Sequence, residues 1–235
     1  MSPERFARIN ELLDLRQPDL TLCMEGVHKQ HNLAAVVRSA DAVGMHEVHA
    51  VWFDKRGRIK GGTAMGSQNW VRIHHHQHES AVPVIQQLQA QGMQVLVTHL
   101  SDSAIDFRDI DYTQPTCIVL GQEKFGVSEA AIAAADHQVV IPMVGMAQSL
   151  NVSVAGAVVM YEAQRQRQLA GMYQRPQLSH AERQRVLFEG GHPVFAKQCR
   201  MRGIPYPALD DDGQIAADTS WWQQIRGRNA VLPHE

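Results

Sequence analysis

Short runs of Val, Ile and Leu alternate with helical patterns along this 235-residue chain, and this alternation restricts its fold most strongly. A continuously apolar strand must be covered on both faces, which is typical of parallel sheets. The runs are, in chain order, "LTLCMEGV", "EVHAVWF", "MQVLVTHL", "TCIVLG" and "HQVVIPM", with a shorter strand at "WVRI". They predict an α/β fold in which a parallel sheet has helices on both faces.

The segments between these runs divide the chain into three parts. We expect an N-terminal basic helix over 1–19, an α/β domain over 20–169 and a helical C-terminal extension over 170–235. In the α/β domain, Asn32 and Gly44 are suitable residues to begin and end the first helix. The C-terminal extension has too few apolar residues to fold alone, so it should pack on the α/β domain or on a partner.

Composition excludes several classes of protein. The formal net charge is only −2, so a nucleic-acid site would have to be a local basic patch. The three cysteines are far apart and form no CxxC pair, which is typical of reduced thiols. The N-terminus has no apolar signal region, and no apolar run has the length of a membrane span. We therefore expect a cytoplasmic protein without a membrane segment.

Two patterns that often mark ligand sites do not fit such sites here. The run "HHHQH" lacks a carboxylate or Cys at ligand spacing, so it is interpreted as a solvated strand end and no metal is expected. The loop "KGGTAMGSQ" lacks the Lys-Ser/Thr end of a phosphate-binding loop. No GxGxxG follows the first strand, so a dinucleotide fold is excluded as well.

Three polar motifs stand at helix starts or strand ends. In "HNLAAVVRSAD", Asn32 and Arg38 are six residues apart, which places them within about 120° of each other on a helix. Glu123 lies in "LGQEKFG", at the carboxyl end of a buried strand, where open α/β sheets bind ligands. Ser149 and Asn151 precede the last long helix. Each motif also has a purely structural interpretation. Asn32 could cap its helix, Arg38 could be a surface arginine, the Glu123 motif could be an ordinary turn, and Ser149 and Asn151 could cap the last helix.

Taken in order, the three motifs resemble those of the SPOUT 2′-O-ribose methyltransferases, and the similarity runs from about Leu20 to Gln168. The basic N-terminal helix, the "YEAQRQR" helix end and the helical tail resemble the TrmH branch of that family. The resemblance implies methylation of the 2′-hydroxyl of guanosine 18 in the tRNA D-loop. The alternatives are a 2′-O site in ribosomal RNA or in the tRNA anticodon loop, and a non-catalytic RNA-binding factor on the same fold.

The resemblance also implies a deep C-terminal trefoil knot, a homodimer and S-adenosylmethionine as the cofactor. Knots are essentially absent from most folds, so no pattern in the sequence could have suggested one. The implied cofactor contacts come from the loops that follow three strands. They are Thr98, Gly121, Ile141, Met143 and Leu150.

The catalytic residues that the resemblance implies are Arg38, Asn32, Glu123, Ser149 and Asn151. Arg38 is the base in the family account, but a guanidinium is effectively always charged. We therefore favour Arg38 as a bidentate clamp on a substrate phosphate. Glu123 is a second candidate base, and its alternative role is a hydrogen bond within the turn.

The RNA partner should be tRNA, held by arginines outside the core motifs. Arg8, Arg165 and Arg167 are expected to contact phosphates, with Arg16 and Arg175 as weaker candidates. The alternative for each of them is a solvated basic helix face.

Overall fold

The computed structural model describes residues 1–26, 29–53 and 66–227, which fall into two compact units. One unit is Arg16–Arg175, and the other is Met1–Leu15 together with the chain from Pro176. The N-terminal residues and the described residues 176–227 thus share one unit. Most of the "KGGTAMGSQ" loop lies outside the described residues. No described helix is both long enough and apolar enough to cross a membrane.

The unit Arg16–Arg175 contains a parallel sheet of seven strands, in the order β3-β2-β1-β6-β4-β7-β5. The strands are β1 (Leu20–Glu25), β2 (Glu47–Trp52), β3 (Arg72–Gln77), β4 (Gln94–Thr98), β5 (Ile105–Asp106), β6 (Thr116–Leu120) and β7 (His137–Val140). The predicted parallel sheet is confirmed. The two-residue strand β5 was not predicted, because it is too short to produce an apolar run.

Helices cover both faces of this sheet, as the sequence predicts. They are α2 (Gln30–Ala42), α3 (Val82–Ala90), α4 (Glu129–Ala134) and α5 (Val152–Leu169). Helices α2 and α5 pack with one set of buried strand residues, and α3 and α4 pack with the other. Gly156 permits close packing of α5, because a Cβ there would lie 2.7 Å from Leu120 Cδ1.

The described part of the second unit consists of four helices and a short antiparallel hairpin. They are α1 (Pro3–Asp14), α6 (His180–Gly191), α7 (Pro193–Arg202), the pair β8 (Ala208–Leu209) and β9 (Ile215–Ala216), and α8 (Thr219–Arg226). The guanidinium of Arg5 donates to the Gly190 carbonyl at 2.8 Å, and Arg183 pairs with Asp14 at 2.7 Å. The N-terminal helix is therefore bound to the C-terminal segment.

The start of α2 differs from the prediction. The helix begins at Gln30 after Lys29, and Asn32 lies inside its first turn rather than at its cap. The Asn32 side chain is buried and is hydrogen-bonded to another segment, so it cannot serve the helix terminus. Gly44 follows the helix with a φ of 81°, which fits the predicted helix stop.

The histidine run is part of an edge strand and not a solvated strand end, so that interpretation was wrong. Strand β3 contains His74 and His76, whose rings stack on buried His49 of β2. His49 Nδ1 and His76 Nε2 are 3.0 Å apart, and His74 Nε2 is 2.8 Å from a Glu47 carboxylate oxygen. Among the described residues no group of His, Cys, Asp or Glu has the arrangement of a metal site.

Burial of His49 should make folding stability depend on pH. Burial and the neighbouring His74 lower the pKa of His49 to about 4. In the unfolded chain a histidine takes up its proton below about 6.5, so the unfolded state binds more protons between these values. We expect the free energy of unfolding to fall by about 3 kcal/mol as the pH drops from about 6.5 to about 4. Urea titrations across this range should show the loss, and His49→Gln should reduce it. An equal loss in the variant would contradict this assignment.

Candidate active site

The carboxyl ends of three neighbouring strands, β6, β4 and β7, surround a cavity of about 320 Å³. Loops after these strands and the segment before α5 form its walls. All five residues that the sequence proposes for cofactor contacts line this cavity: Thr98, Gly121, Ile141, Met143 and Leu150. The volume lies within the range of about 300–1,000 Å³ that is usual for small-molecule sites.

A tight turn after β6 forms one wall of the cavity. Gln122 and Gly126 exchange two backbone hydrogen bonds of 2.9 and 2.8 Å, which close the turn over Glu123, Lys124 and Phe125. Gly126 has a φ of +69°, a conformation that favours glycine. A Cβ on Gly121 would overlap the backbone of Gly126 and of Val127. The wall at Gly121 is therefore backbone, and it has no room for a side chain.

The turn places Glu123 at the centre of a polar cluster. Its Oε1 accepts hydrogen bonds from Asn32 Nδ2 at 2.9 Å and from Asn151 Nδ2 at 2.6 Å, and its Oε2 pairs with Lys29. The hydrogen bond from Lys29, followed by that from Asn32, lowers the pKa of Glu123. Glu123 is thus held as a carboxylate that orients two amides. This environment favours the structural alternative over a role as general base.

Asn151 has two roles, because it also begins α5. Its Oδ1 accepts from the Ser153 backbone N–H at 2.9 Å, as a helix cap does. Ser149, two residues earlier, is exposed and lines the cavity of about 320 Å³. The structure therefore brings Asn32, Glu123 and Asn151 together and puts Ser149 on the wall of the cavity.

Arg38 is not part of this cluster. It is exposed on α2, two turns after the start of the helix, and makes no hydrogen bond or ion pair within the described chain. It does not line the cavity at the strand ends. Its guanidinium is therefore available to a ligand that approaches from solvent.

Two of the five arginines proposed for RNA contact are buried, and that part of the prediction is wrong. Arg16 donates to the Met45 carbonyl at 2.7 Å and pairs with Asp41 at 2.6 Å. Arg167 is fully buried, donates to the Tyr112 carbonyl at 2.8 Å and pairs with Asp19. Both guanidinium groups connect segments of the α/β unit, so neither can reach a phosphate.

The other three proposed arginines are accessible. Arg8 and Arg165 have side chains that are 83% and 58% exposed, and each pairs with a glutamate one helical turn away. Arg175 is also exposed. The three therefore remain candidates for phosphate contact.

Arg165 and Arg167, two residues apart on α5, should respond differently to alanine. Arg167→Ala leaves Asp19 unpaired and removes donors from backbone carbonyls, so the free energy of unfolding should fall by about 3–5 kcal/mol. Arg165→Ala should leave the free energy of unfolding almost unchanged, because this arginine is exposed, but should lower the salt slope of tRNA binding by about one unit. Urea unfolding and binding at several salt concentrations measure both effects. If Arg165→Ala unfolded more easily and Arg167→Ala lowered only the salt slope, Arg167 could not be the buried structural arginine and Arg165 could not be the RNA contact.

Comparison with known proteins assigns this architecture. The family model described as SpoU rRNA Methylase matches residues 19–161, and the model of the SpoU rRNA methylase C-terminal region matches residues 165–218. The chain belongs to the SpoU methylase family. The first match covers every strand of the sheet and every residue of the Glu123 cluster, so the SpoU region and the candidate site coincide.

The similarity to individual SpoU proteins extends over nearly the whole chain. It is 57% identical over 228 residues to the tRNA (guanosine(18)-2′-O)-methyltransferase of Escherichia coli, covering 96% of this chain and 99% of that protein. The crystal structure of the TrmH/SpoU tRNA modifying enzyme of A. aeolicus has a TM-score of 0.74 and 41% identity, covering 81% of this chain and 96% of that one.

A more distant SpoU structure contains the cofactor. The SpoU methyltransferase AviRb from Streptomyces viridochromogenes in complex with AdoMet has a TM-score of 0.57 and 28% identity. The match covers 65% of this chain and 62% of that one.

Two residues at this SpoU site were not identified from the sequence. Lys29 lies three residues before Asn32, and Phe125 lies inside the "LGQEKFG" turn. A basic residue one helical turn before a polar motif, and an aromatic residue in an otherwise polar turn, are signals that could have pointed to them. They were missed because the importance of each depends on where Glu123 lies in space.

Proposed function

We propose that this chain transfers a methyl group to the ribose 2′-hydroxyl of guanosine 18 in tRNA. The 57% identity to the E. coli tRNA (guanosine(18)-2′-O)-methyltransferase, along nearly the full length of both chains, carries this conclusion. The chain is an enzyme, and the Glu123 cluster beside a cavity at the strand ends is consistent with catalysis. A ribosomal site or the anticodon loop has less support, because the enzyme for guanosine 18 matches over 99% of its length.

The cavity at the strand ends fits S-adenosylmethionine. Ile141, Met143 and Leu150 offer apolar surface, and the backbone wall at Gly121 allows a planar group to approach closely. When bound, this cofactor supplies a methyl group that is already activated on a sulfonium. Thr98 donates its hydroxyl to the Val119 carbonyl at 3.3 Å, which connects two of the strand ends that form the site.

The contribution of the chain is then mainly placement of the acceptor. Orientation of the attacking oxygen alone can supply a large part of the rate enhancement. Glu123 holds the amides of Asn32 and Asn151 in fixed positions, and Ser149 presents a hydroxyl on the cavity wall. In this proposal Arg38 clamps a phosphate of the substrate and stabilises negative charge on the reacting oxygen, whose proton leaves to that phosphate or to water.

We further propose that two copies of the chain form a dimer and that each chain is knotted. Large apolar residues are exposed beside the cavity and along α5, which is characteristic of an interaction surface. They are Leu100, Val144, Met146, Val154 and Tyr161. The proposed knot involves the loops that follow β4, β6 and β7, which converge at the cavity.

In this proposal the protein acts in the cytoplasm and the catalytic part of the chain is 20–169. The segments 1–19 and 170–235 assist in binding tRNA. For these contacts the chain offers three accessible cations outside the candidate site, namely Arg8, Arg165 and Arg175. The net charge of −2 makes such local contacts necessary.

Methyl transfer in a chelator tests the proposed function. Purified protein is incubated with methyl-labelled S-adenosylmethionine, a tRNA transcript and EDTA, and the RNA is digested to nucleosides. The label should appear as 2′-O-methylguanosine, at the same rate with and without EDTA. Loss of transfer in EDTA, or label on a base, would overturn the proposal.

A further inference from the structure

A second cavity, of about 330 Å³, adjoins the first at the "LGQEKFG" turn. The two cavities share Gly121, Gln122, Glu123 and Val152 as lining residues. The other lining residues of the second cavity are Lys29, Asn32, Lys124 and Phe125. A group bound there would therefore contact the same turn that forms a wall of the cofactor cavity.

Phe125 is the aromatic surface of this second cavity. This residue is 70% exposed, although phenylalanine usually packs in a core. The Lys124 ammonium lies 5.1 Å from the centre of its ring. An exposed ring with a cation beside it is the arrangement on which proteins stack unpaired nucleobases.

Lys29 and Asn32 give the cavity a polar side. The Lys29 side chain is 56% exposed although it is paired with Glu123, so its ammonium remains accessible to an anion from solvent. Asn32 adds an amide that Glu123 holds in place. Together with Lys124, the cavity presents two ammonium groups and one carboxylate around an aromatic ring. This charge suits a nucleotide phosphate better than a neutral apolar ligand.

We infer that this second cavity is the site of the acceptor nucleotide, with its base stacked on Phe125 and its phosphate beside Lys29. The inference rests on the proposed function and deepens it. A nucleotide in this position has its ribose between the base on Phe125 and the turn shared with the cofactor cavity. Phe125 thus binds the substrate, and Lys29 is a positioning residue for its phosphate.

Replacement of Phe125 tests the inference directly. Stacking on a protein aromatic contributes enough that Phe125→Leu should lower kcat/KM for tRNA by about 10- to 100-fold. Phe125→Tyr, which keeps a ring for stacking, should stay within about threefold of wild type. Because Phe125 is exposed, the core should be unaffected, and calorimetric binding of S-adenosylmethionine should be the same in all three proteins.

A binding measurement that needs no turnover accompanies the kinetics. A tRNA transcript with 2-aminopurine at position 18 reports stacking as a loss of fluorescence. Wild type and Phe125→Tyr should quench the probe at saturation, and Phe125→Leu should quench it much less. Lys29→Gln should weaken binding of this tRNA while the quenching at saturation is retained.

The wild-type protein in the same assays separates the two claims. If wild type methylates guanosine 18 while Phe125→Leu has unchanged kcat/KM and unchanged quenching, the assignment of the cavity is overturned and the proposed function stands. If wild type methylates no ribose of tRNA, both are overturned.

Discussion

Gly121→Ala is expected to abolish binding of S-adenosylmethionine. The added Cβ would overlap the backbone of Gly126 and Val127. The position of a Cβ is set by its own backbone, so no side-chain rotation can relieve this overlap. The turn would have to open, which breaks the two hydrogen bonds between Gln122 and Gly126 and displaces Glu123. We also expect the free energy of unfolding to fall by about 1–3 kcal/mol, as for other overpacked sites.

Gly145→Ala is the matched control for this variant. Gly145 lies in the segment before α5, and a Cβ there would meet nothing within 4 Å among the described residues. Calorimetric titration with S-adenosylmethionine should therefore give near-native affinity for Gly145→Ala and no detectable binding for Gly121→Ala. Native affinity in Gly121→Ala would show that the turn does not form the wall of the cofactor site.

Arg38→Lys should lower turnover by about 100- to 1,000-fold at every pH. A clamp requires the planar fork of the guanidinium, which pairs with two phosphate oxygens, and an ammonium cannot reproduce that geometry. S-adenosylmethionine binding should be unchanged, because Arg38 does not line the cavity at the strand ends. Turnover measured across a range of pH, with cofactor affinity measured in parallel, checks both expectations.

The pH dependence distinguishes a clamp from a base. A lysine amine loses its proton far more readily than a guanidinium, so a lysine that replaced a base would recover activity at alkaline pH. A clamp variant stays impaired throughout. Arg72→Lys is a suitable control, since Arg72 is also exposed in the same unit but lies on the edge strand β3. Alkaline recovery in Arg38→Lys would refute the clamp.

The sequence was sufficient to predict the buried strands and the helices on both faces of the sheet. Runs such as "TCIVLG" and "MQVLVTHL" lie in the interior, where burial on both faces demands uninterrupted apolar residues. The predicted strand "WVRI" begins before β3, which is Arg72–Gln77. The apolar signal is weak there because β3 lies at the sheet edge, where one side is open and histidines replace aliphatic residues.

The positive charge of an arginine did not reveal whether its side chain is exposed or buried. Arg165 and Arg167 stand in the same glutamine-rich run, yet one is exposed and the other is fully buried among carbonyl acceptors. A helix turns by about 100° per residue, so two positions two residues apart point in different directions. Which direction faces the protein depends on the contact of α5 with the sheet, which is a tertiary property.

The candidate site could be predicted only in part for a related reason. The motifs around Asn32, Glu123 and Asn151 were visible in the sequence, but their contact depends on the strand order. Strand β6 pairs with β1 on one side and with β4 on the other. Four strands separate β1 from β6 in the chain, and no local pattern specifies that the two are neighbours. The roles of Lys29 and Phe125 became visible only after the turn had been placed beside α2.

Mapping of the methyl group on tRNA shows directly whether this chain modifies the ribose of guanosine 18. Two transcripts are compared that differ only in having guanosine or 2′-deoxyguanosine at position 18, and modified nucleotides are located by mass spectrometry of RNA fragments. We expect one methyl group on the ribose of guanosine 18 in the first transcript and none in the second. Methylation of a base, of another ribose, or of the deoxy transcript to the same extent would contradict it.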